Sequence, residues 1–304
     1  MLSLMKYLAA LALPLLCVTA AQMQEEGDSL LSATDYANFP YLAPDLHYEY
    51  GDDPQQFAEL YLPASPSPHP VIALVHGGCY FETYDLKPVS SIARALADAG
   101  FAVWNIEYRR AVNGGEYPNM FLDVGAAVDA LPMIADEHDL DLSGLIAIGH
   151  SAGGHLALWL AGRGQLDETS ALYRAEPLDV AGVVALAPLA DIAAALEQGM
   201  CGPALPFVMG GGQPTFAEHI RDGSPRALLP LDARQVIIVG DQDGMILPNV
   251  HRYLEAAEEA GDEPALILLE GAGHYEIVAV DAPEWQSVLE SIFALHAAIR
   301  DQRA

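Results

Sequence analysis

The sequence predicts an α/β domain: a mostly parallel central sheet with helices on both faces, an antiparallel N-terminal hairpin and one small cap insertion. Three observations predict it. Apolar runs of strand length alternate with helical stretches along most of the chain. Those runs are apolar at consecutive positions, as strands covered on both faces must be. One Gly- and Pro-rich stretch, 191–230, is too long for an ordinary connection and reads as a cap over the strand ends. With 304 residues, 52% apolar and 18% charged, the chain can bury a substantial core.

The elements follow in order. "MLSLMKYLAALALPLLCVTA" has a thin basic start at Lys6, an apolar stretch from Tyr7 to Val18 and a small-residue cleavage site at 18–20. It is expected to be a secretory signal over 1–20. The apolar run is short for a membrane span of roughly 20 residues, so a mature chain without a span and an exported location are expected. Residues 21–44 form an N-terminal extension, and the domain runs over 45–304. "DLHYEYG" and "QQFAELYLP" mix polar and apolar positions around "DDP" and read as the hairpin. "PASPSPHP" is a short stiff connection. "VIALVHGG" is a buried strand, "PVSSIARALADAG" a helix stopped by Gly100, "FAVWNIEYR" a strand, and 119–137 a helix. "LIAIGHS" is a strand that runs straight into the helix "AGGHLALWLAG". "VAGVVALAPLA" and "QVIIVGDQD" are strands, "NVHRYLEAAEEAG" a helix, "PALILLEGAGH" the last strand and "APEWQSVLESIFALHAAI" the last helix.

Composition excludes several function classes. The formal net charge is −29, and losing 1–20 removes Lys6 and no acid, leaving −30. Such a polyanion repels nucleic acid and anionic lipid. The acids are dispersed, which makes a solvated surface rather than a tail. That charge fits a saline habitat, where self-repulsion is screened within about 10 Å. Removal of the signal takes Cys17 and leaves Cys79 and Cys201, whose pairing stays open at this stage.

Sheets of this class place their sites at the C-terminal ends of the strands, and the unusual motifs fall there. Gly149-His150-Ser151-Ala152-Gly153 stands between an apolar strand and an apolar helix. Glycines two residues either side of a serine let strand and helix pass at a sharp turn, exposing the hydroxyl above the sheet. A serine needs a base oriented by a third group. Of the histidines downstream, His155, His219, His251 and His296 have packing or solvated-face explanations. His274 alone follows a strand directly in a Gly-rich turn, and is the expected base. The preceding strand ends at Asp241 and Asp243. Asp243 reaches far enough into its loop to orient the histidine, while Asp241 is expected to cap the turn. Asp-x-Asp-Gly also hints at a calcium loop, but Gly244 comes too early and Arg252 stands where the closing Glu belongs. Backbone N–H groups of Ala152 and of the His76-Gly77-Gly78-Cys79 turn are expected to hold an oxyanion, each worth about 3 kcal/mol in the barrier. Cys79 then serves through its backbone, not as a thiol nucleophile.

These residues resemble the α/β-hydrolase superfamily over most of the chain after Tyr48. "HGGCY", "EYR", "GHSAGGHLA", "SP" at 224–225, "GDQD" and "GHYEI" are similar to its bacterial esterase and kynurenine-formamidase-like branch. The resemblance implies the α/β-hydrolase fold, with Ser151 as nucleophile, Asp243 and His274 as partners, and Gly78, Cys79 and Ala152 as the hole. The expected reaction is hydrolysis of small acyl or aryl carboxylic esters through an acyl-enzyme, with no metal or organic cofactor. A formamidase or amidase would use the same residues. An exopeptidase lacks its propeller-sized N-terminal domain here, and a non-catalytic binding protein on this fold would ordinarily have a degraded triad. Phe207, Met209 and Phe216 of the cap are expected along one side of the substrate pocket, with Tyr80, Phe81 and Tyr84 along the other.

Overall fold

The computed structural model describes residues 30–303, so the expected signal over 1–20 lies outside the described residues. One eight-stranded sheet organises the chain. β1 (Leu46–Glu49) and β2 (Phe57–Tyr61) form the hairpin, with Leu46 opposite Leu60, and β2 pairs antiparallel with β4 (Ala102–Ile106). The remaining pairs are parallel: β3 (His69–Val75) with β4 and β5 (Leu140–His150), then β6 (Gly182–Leu186), β7 (Arg234–Gly240) and β8 (Ala265–Leu269). This is the α/β-hydrolase arrangement that the motifs imply.

The central strands are buried because they carry side chains with no polar atoms on either face. Val71 to Val75, Leu145 to Ile148 and Val183 to Leu186 are all at most 1% exposed. Right-handed crossovers then fix which face each helix takes. The chain steps from β3 outward to β4 through α2 (Ser90–Asp98), then reverses and returns past β3 to β5 through α3 (Asn119–Asp129). α2 therefore lies on one face and α3 on the other. α5 (Ala152–Gly162) and α9 (Leu247–Ala260) continue in the same direction and join α3. α10 (Trp285–Arg303) closes the α2 face, where Phe101 and Phe293 meet at 5.5 Å. The reversal leaves a crevice at the C-terminal ends of β3 and β5, the topological switch point where open α/β sheets bind ligands.

Three local features depart from the expected elements. The helix expected over 119–137 is broken into α3 and a short α4 (Pro132–Ala135), since Pro132 has no N–H to continue the ladder. β5 begins at Leu140, five residues earlier than the apolar run, and its pairing with β3 shifts register between Pro70 and Ile72. A five-residue helix, α1 (Ala33–Ala37), precedes the hairpin, with Ser32 and Asp35 forming a reciprocal capping box. Residues 191–230 hold three short helices, α6 (Ile192–Glu197), α7 (Ala204–Val208) and α8 (Phe216–Gly223), between β6 and β7. Asn249 of α9 anchors the start of this stretch, its side-chain oxygen accepting from the N–H groups of Ala190 and Asp191.

Candidate active site

Ser151 occupies the turn between β5 and α5 with φ 55° and ψ −117°, a conformation that costs a non-glycine residue about 1–3 kcal/mol. The surrounding glycines make the turn possible. A Cβ on Gly149 would lie 2.1 Å from the Gly153 carbonyl oxygen, and one on Gly153 would lie 2.1 Å from that of Val75. The Ser151 N–H donates to Leu186 O at 2.8 Å, which pins the turn to the next strand. Its side chain stays free of hydrogen bonds among the described residues, at the mouth of the crevice.

His274 follows β8 and Asp243 follows β7, and the two loops meet. His274 Nδ1–H donates to Asp243 Oδ2 at 2.5 Å, and Asp243 is 6% exposed. The second Asp243 oxygen accepts from the Ile246 N–H at 3.3 Å. This arrangement fixes the tautomer of His274 and leaves Nε2 to the crevice, where Ser151 also lies. Asp241 accepts from the Gly271 N–H at 2.9 Å and so joins the β7 and β8 loops, as a turn-capping residue would.

The turn after β3 runs through Gly78, Cys79 and Tyr80 with φ of 104°, 52° and 61°. The N–H groups of Gly78, Cys79 and Ala152 have no acceptor among the described residues; Gly78 and Cys79 line the serine end of the crevice, and Ala152 directly follows Ser151. Buried polar groups beneath the turn hold it. The Glu107 carboxylate accepts from the N–H groups of Leu86 at 3.1 Å and Tyr108 at 2.9 Å, and pairs with buried Arg110. Tyr108 Oη donates to His76 O at 2.8 Å. His76 is driven to about 3 by burial and then by Arg110, so it is neutral and its contact with Glu107 is not an ion pair. The "EYR" string thus belongs to the scaffold of this turn, with Arg109 clamped on Asp123 at 2.7 Å.

Cys79 and Cys201 are joined by a disulfide, which links this turn to the 191–230 insertion. Two cavities meet at Cys79, Ser151, His274 and Tyr275. One, of 210 Å³, is aromatic, walled by Tyr36, Phe81, Tyr84 and Tyr275. The other, of 160 Å³, is aliphatic and sulfur-rich, walled by Leu189, Met200, Cys201, Met245 and Ile246. A larger cleft, 870 Å³, opens at the opposite ends of the strands, beside Arg234 and Ala265, and holds none of the motif residues. Size alone therefore does not mark the site.

The structure corrects the expected pocket walls. Phe207 and Phe216 lie away from both cavities, and Met209 is buried against Gly223. Insertion residues Met200 and Cys201 take that place. Phe81 and Tyr84 do line the aromatic cavity, but Tyr80 is fully buried and binds His155 Nδ1 at 2.8 Å. His155 in turn donates from Nε2 to Gly223 O at 2.7 Å, outside its own helix. Burial lowers His155 to about 4, so it is neutral. His150, read only as a free position of the Gly-x-Ser-x-Gly motif, donates from Nε2 to the backbone oxygen of His274 at 2.9 Å. Burial, and then His274, holds it well below its ordinary value of 6.5. No local pattern reveals these partners, because each lies more than sixty residues away in the chain.

The chain matches the BD-FAE family over residues 58–257. A probable isoprenylcysteine alpha-carbonyl methylesterase ICME of Oryza sativa subsp. japonica is 31% identical over 109 residues, 36% of this chain. The aligned part spans only 26% of that protein's length. Among solved structures, an inhibited esterase B from Lactobacillus rhamnosis superposes with a TM-score of 0.74 at 23% identity, covering 88% of this chain and 91% of that one. A truncated carbohydrate esterase from gut microbiota gives 0.67 at 21% identity, covering 86% and 98%. At these identities the two structures establish a shared fold. Among the described residues no helix is long and apolar enough to cross a membrane.

Proposed function

The chain belongs to the BD-FAE family, and from that premise and the geometry of its site we propose that it is a serine hydrolase of small acyl or aryl carboxylic esters. One observation carries the reading. A serine held in a strained strand-to-helix turn shares its cavities with a histidine whose Nδ1–H is already committed to a buried aspartate. The name of the rice relative and those of the fold neighbours support the same reaction class.

In this reading His274 Nε2 takes the proton from Ser151 Oγ as the oxygen attacks the ester carbonyl. Asp243 stabilises the imidazolium through the Nδ1 hydrogen bond. The N–H groups of Gly78, Cys79 and Ala152 receive the oxyanion, a role they can fill because no protein acceptor occupies them. His274 then protonates the departing alcohol oxygen, and the serine ester forms. Water repeats the sequence: His274 removes its proton, the second tetrahedral intermediate collapses, and the acid leaves with Ser151 Oγ reprotonated. The two cavities on either side of Ser151 separate the acyl and alcohol halves of the substrate. The disulfide supports export to an oxidising compartment, in line with the expected signal.

The test is kinetic. Turnover of p-nitrophenyl acetate is expected to fall to background in Ser151→Ala and His274→Ala, with both variants folded. Wild-type turnover in either variant would overturn the reading.

A further inference from the structure

Tyr36 lies on α1, before the region that matches the family, yet each ring it touches belongs to the active-site loops or to its own segment. It stacks on Tyr275 at 5.4 Å, beside His274. It packs on His150 at 5.6 Å, beside Ser151, and on Tyr84 at 6.2 Å in the loop after β3. Its remaining ring neighbour is Phe39 at 5.7 Å. Tyr36 is 1% exposed, and its buried hydroxyl, although beside the Gly77 N–H, makes no hydrogen bond of good geometry among the described residues. The ring is therefore held by its faces and edges, not by its oxygen.

A second contact ties the same segment to the histidine loop. Glu276 accepts from the Gly273 N–H at 2.8 Å and, with its other oxygen, from the Leu31 N–H. One carboxylate thus bridges the segment and the residue preceding His274. Leu30 packs where a Cβ on Gly273 would sit. Ala33 and Tyr36 line the 210 Å³ cavity that Ser151 and His274 share.

We propose that Leu30–Phe39 is a working wall of the active site, with Tyr36 the positioning residue that holds His274 in place through His150 and Tyr275. This rests on the hydrolase reading above. His150 donates to the His274 backbone oxygen, and the His150 and His274 rings lie 4.6 Å apart. Removing the Tyr36 ring opens a void against both supports of the base. A displacement of about 1 Å at a catalytic group costs up to roughly 100-fold in rate. The same void widens the aromatic compartment and so alters which esters fit.

The experiment compares Tyr36→Ala, Tyr36→Phe, Glu276→Gln and Ser151→Ala on p-nitrophenyl acetate and p-nitrophenyl benzoate. For the variants that keep Ser151, rates are normalised to active sites titrated with a fluorophosphonate, so that a loss of folded protein alone moves nothing; Ser151→Ala, which has no site to titrate, is compared per mole of folded protein. Tyr36→Ala is expected to lower kcat per titrated site roughly 10- to 100-fold and to change the benzoate-to-acetate ratio of kcat/KM. Tyr36→Phe should restore most of that loss, since the oxygen makes no hydrogen bond of good geometry. Glu276→Gln, which cuts the bridge without emptying the core, should lower kcat several-fold, and it carries the test if Tyr36→Ala does not fold. Wild-type kcat and selectivity in folded Tyr36→Ala, or in Glu276→Gln, would overturn the proposal. A Phe variant as impaired as the Ala variant would overturn it too. Activity surviving in Ser151→Ala would instead overturn the hydrolase reading.

Discussion

At Ser151 the backbone stores strain that the proposed role as nucleophile accounts for. A φ of 55° with a ψ of −117° suits glycine, and the residue is a serine with neighbouring glycines packed to backbone contact. Two consequences follow for single residues. Ser151→Gly should be inactive and more stable than wild type by about 1 kcal/mol, measured by denaturant unfolding, because strain is relieved with no void made. Equal or lower stability would show that the turn is not strained. Asp243→Asn should fold normally and lose roughly 10⁴-fold in kcat, because the amide cannot fix the His274 tautomer or stabilise the imidazolium. Ser151 and His274 were recognisable in the sequence because each sits between an apolar strand and a glycine-rich turn. His150 and Tyr36 were not, since what distinguishes them is contact across the tertiary fold.

At the scale of elements, each proposed triad and oxyanion role is delivered at the end of a parallel strand. The sequence displayed these loops because an apolar run ending in glycine and a polar residue breaks its own period. It did not display what braces them. Glu107 stands out only as part of the "EYR" resemblance and Arg110 not at all, yet the two, 2% and 4% exposed, form the buried support of the turn after β3. Glu107→Ala strands Arg110 in the interior and should cost about 3–5 kcal/mol; a loss below about 1 kcal/mol in urea unfolding would remove that role. The Cys79–Cys201 pairing was equally hidden, since two cysteines 122 residues apart give no geometry until the insertion is folded over the strand ends. Closing a loop of that length is worth up to about 5 kcal/mol through the unfolded chain. The Cys79→Ser/Cys201→Ser double variant should lose a large part of that stability. It should also lose kcat, because Cys79 carries one of the proposed oxyanion donors.

For the whole molecule, burial and charge set the response to pH and salt. His76 and His155 titrate at about 3 and about 4 in the folded protein, against 6.5 ordinarily, and His150 is displaced in the same direction. Each is depressed by burial, so its contribution to stability is complete above pH 6.5 and disappears as pH falls through 6.5 toward 4 and then 3. Below pH 6 the unfolded chain binds about one more proton per such histidine, roughly 1.4 kcal/mol per pH unit for each. Thermal unfolding should therefore show a falling Tm between pH 6.5 and 4, and a flat profile there would contradict the burial of neutral histidines. The net charge of −29 adds self-repulsion that salt screens. Tm at pH 7.5 should rise with NaCl, and a Tm unchanged up to 1 M, where the Debye length is about 3 Å, would exclude self-repulsion as a limit on stability.

The central claim is that Ser151 is the nucleophile of this fold. Incubation with a fluorophosphonate followed by intact-mass and peptide mass spectrometry tests it most directly. One phosphonyl adduct per chain is expected, on the peptide containing Ser151, formed slowly in His274→Ala and absent in Ser151→Ala. Equal labelling of wild type and Ser151→Ala would contradict it.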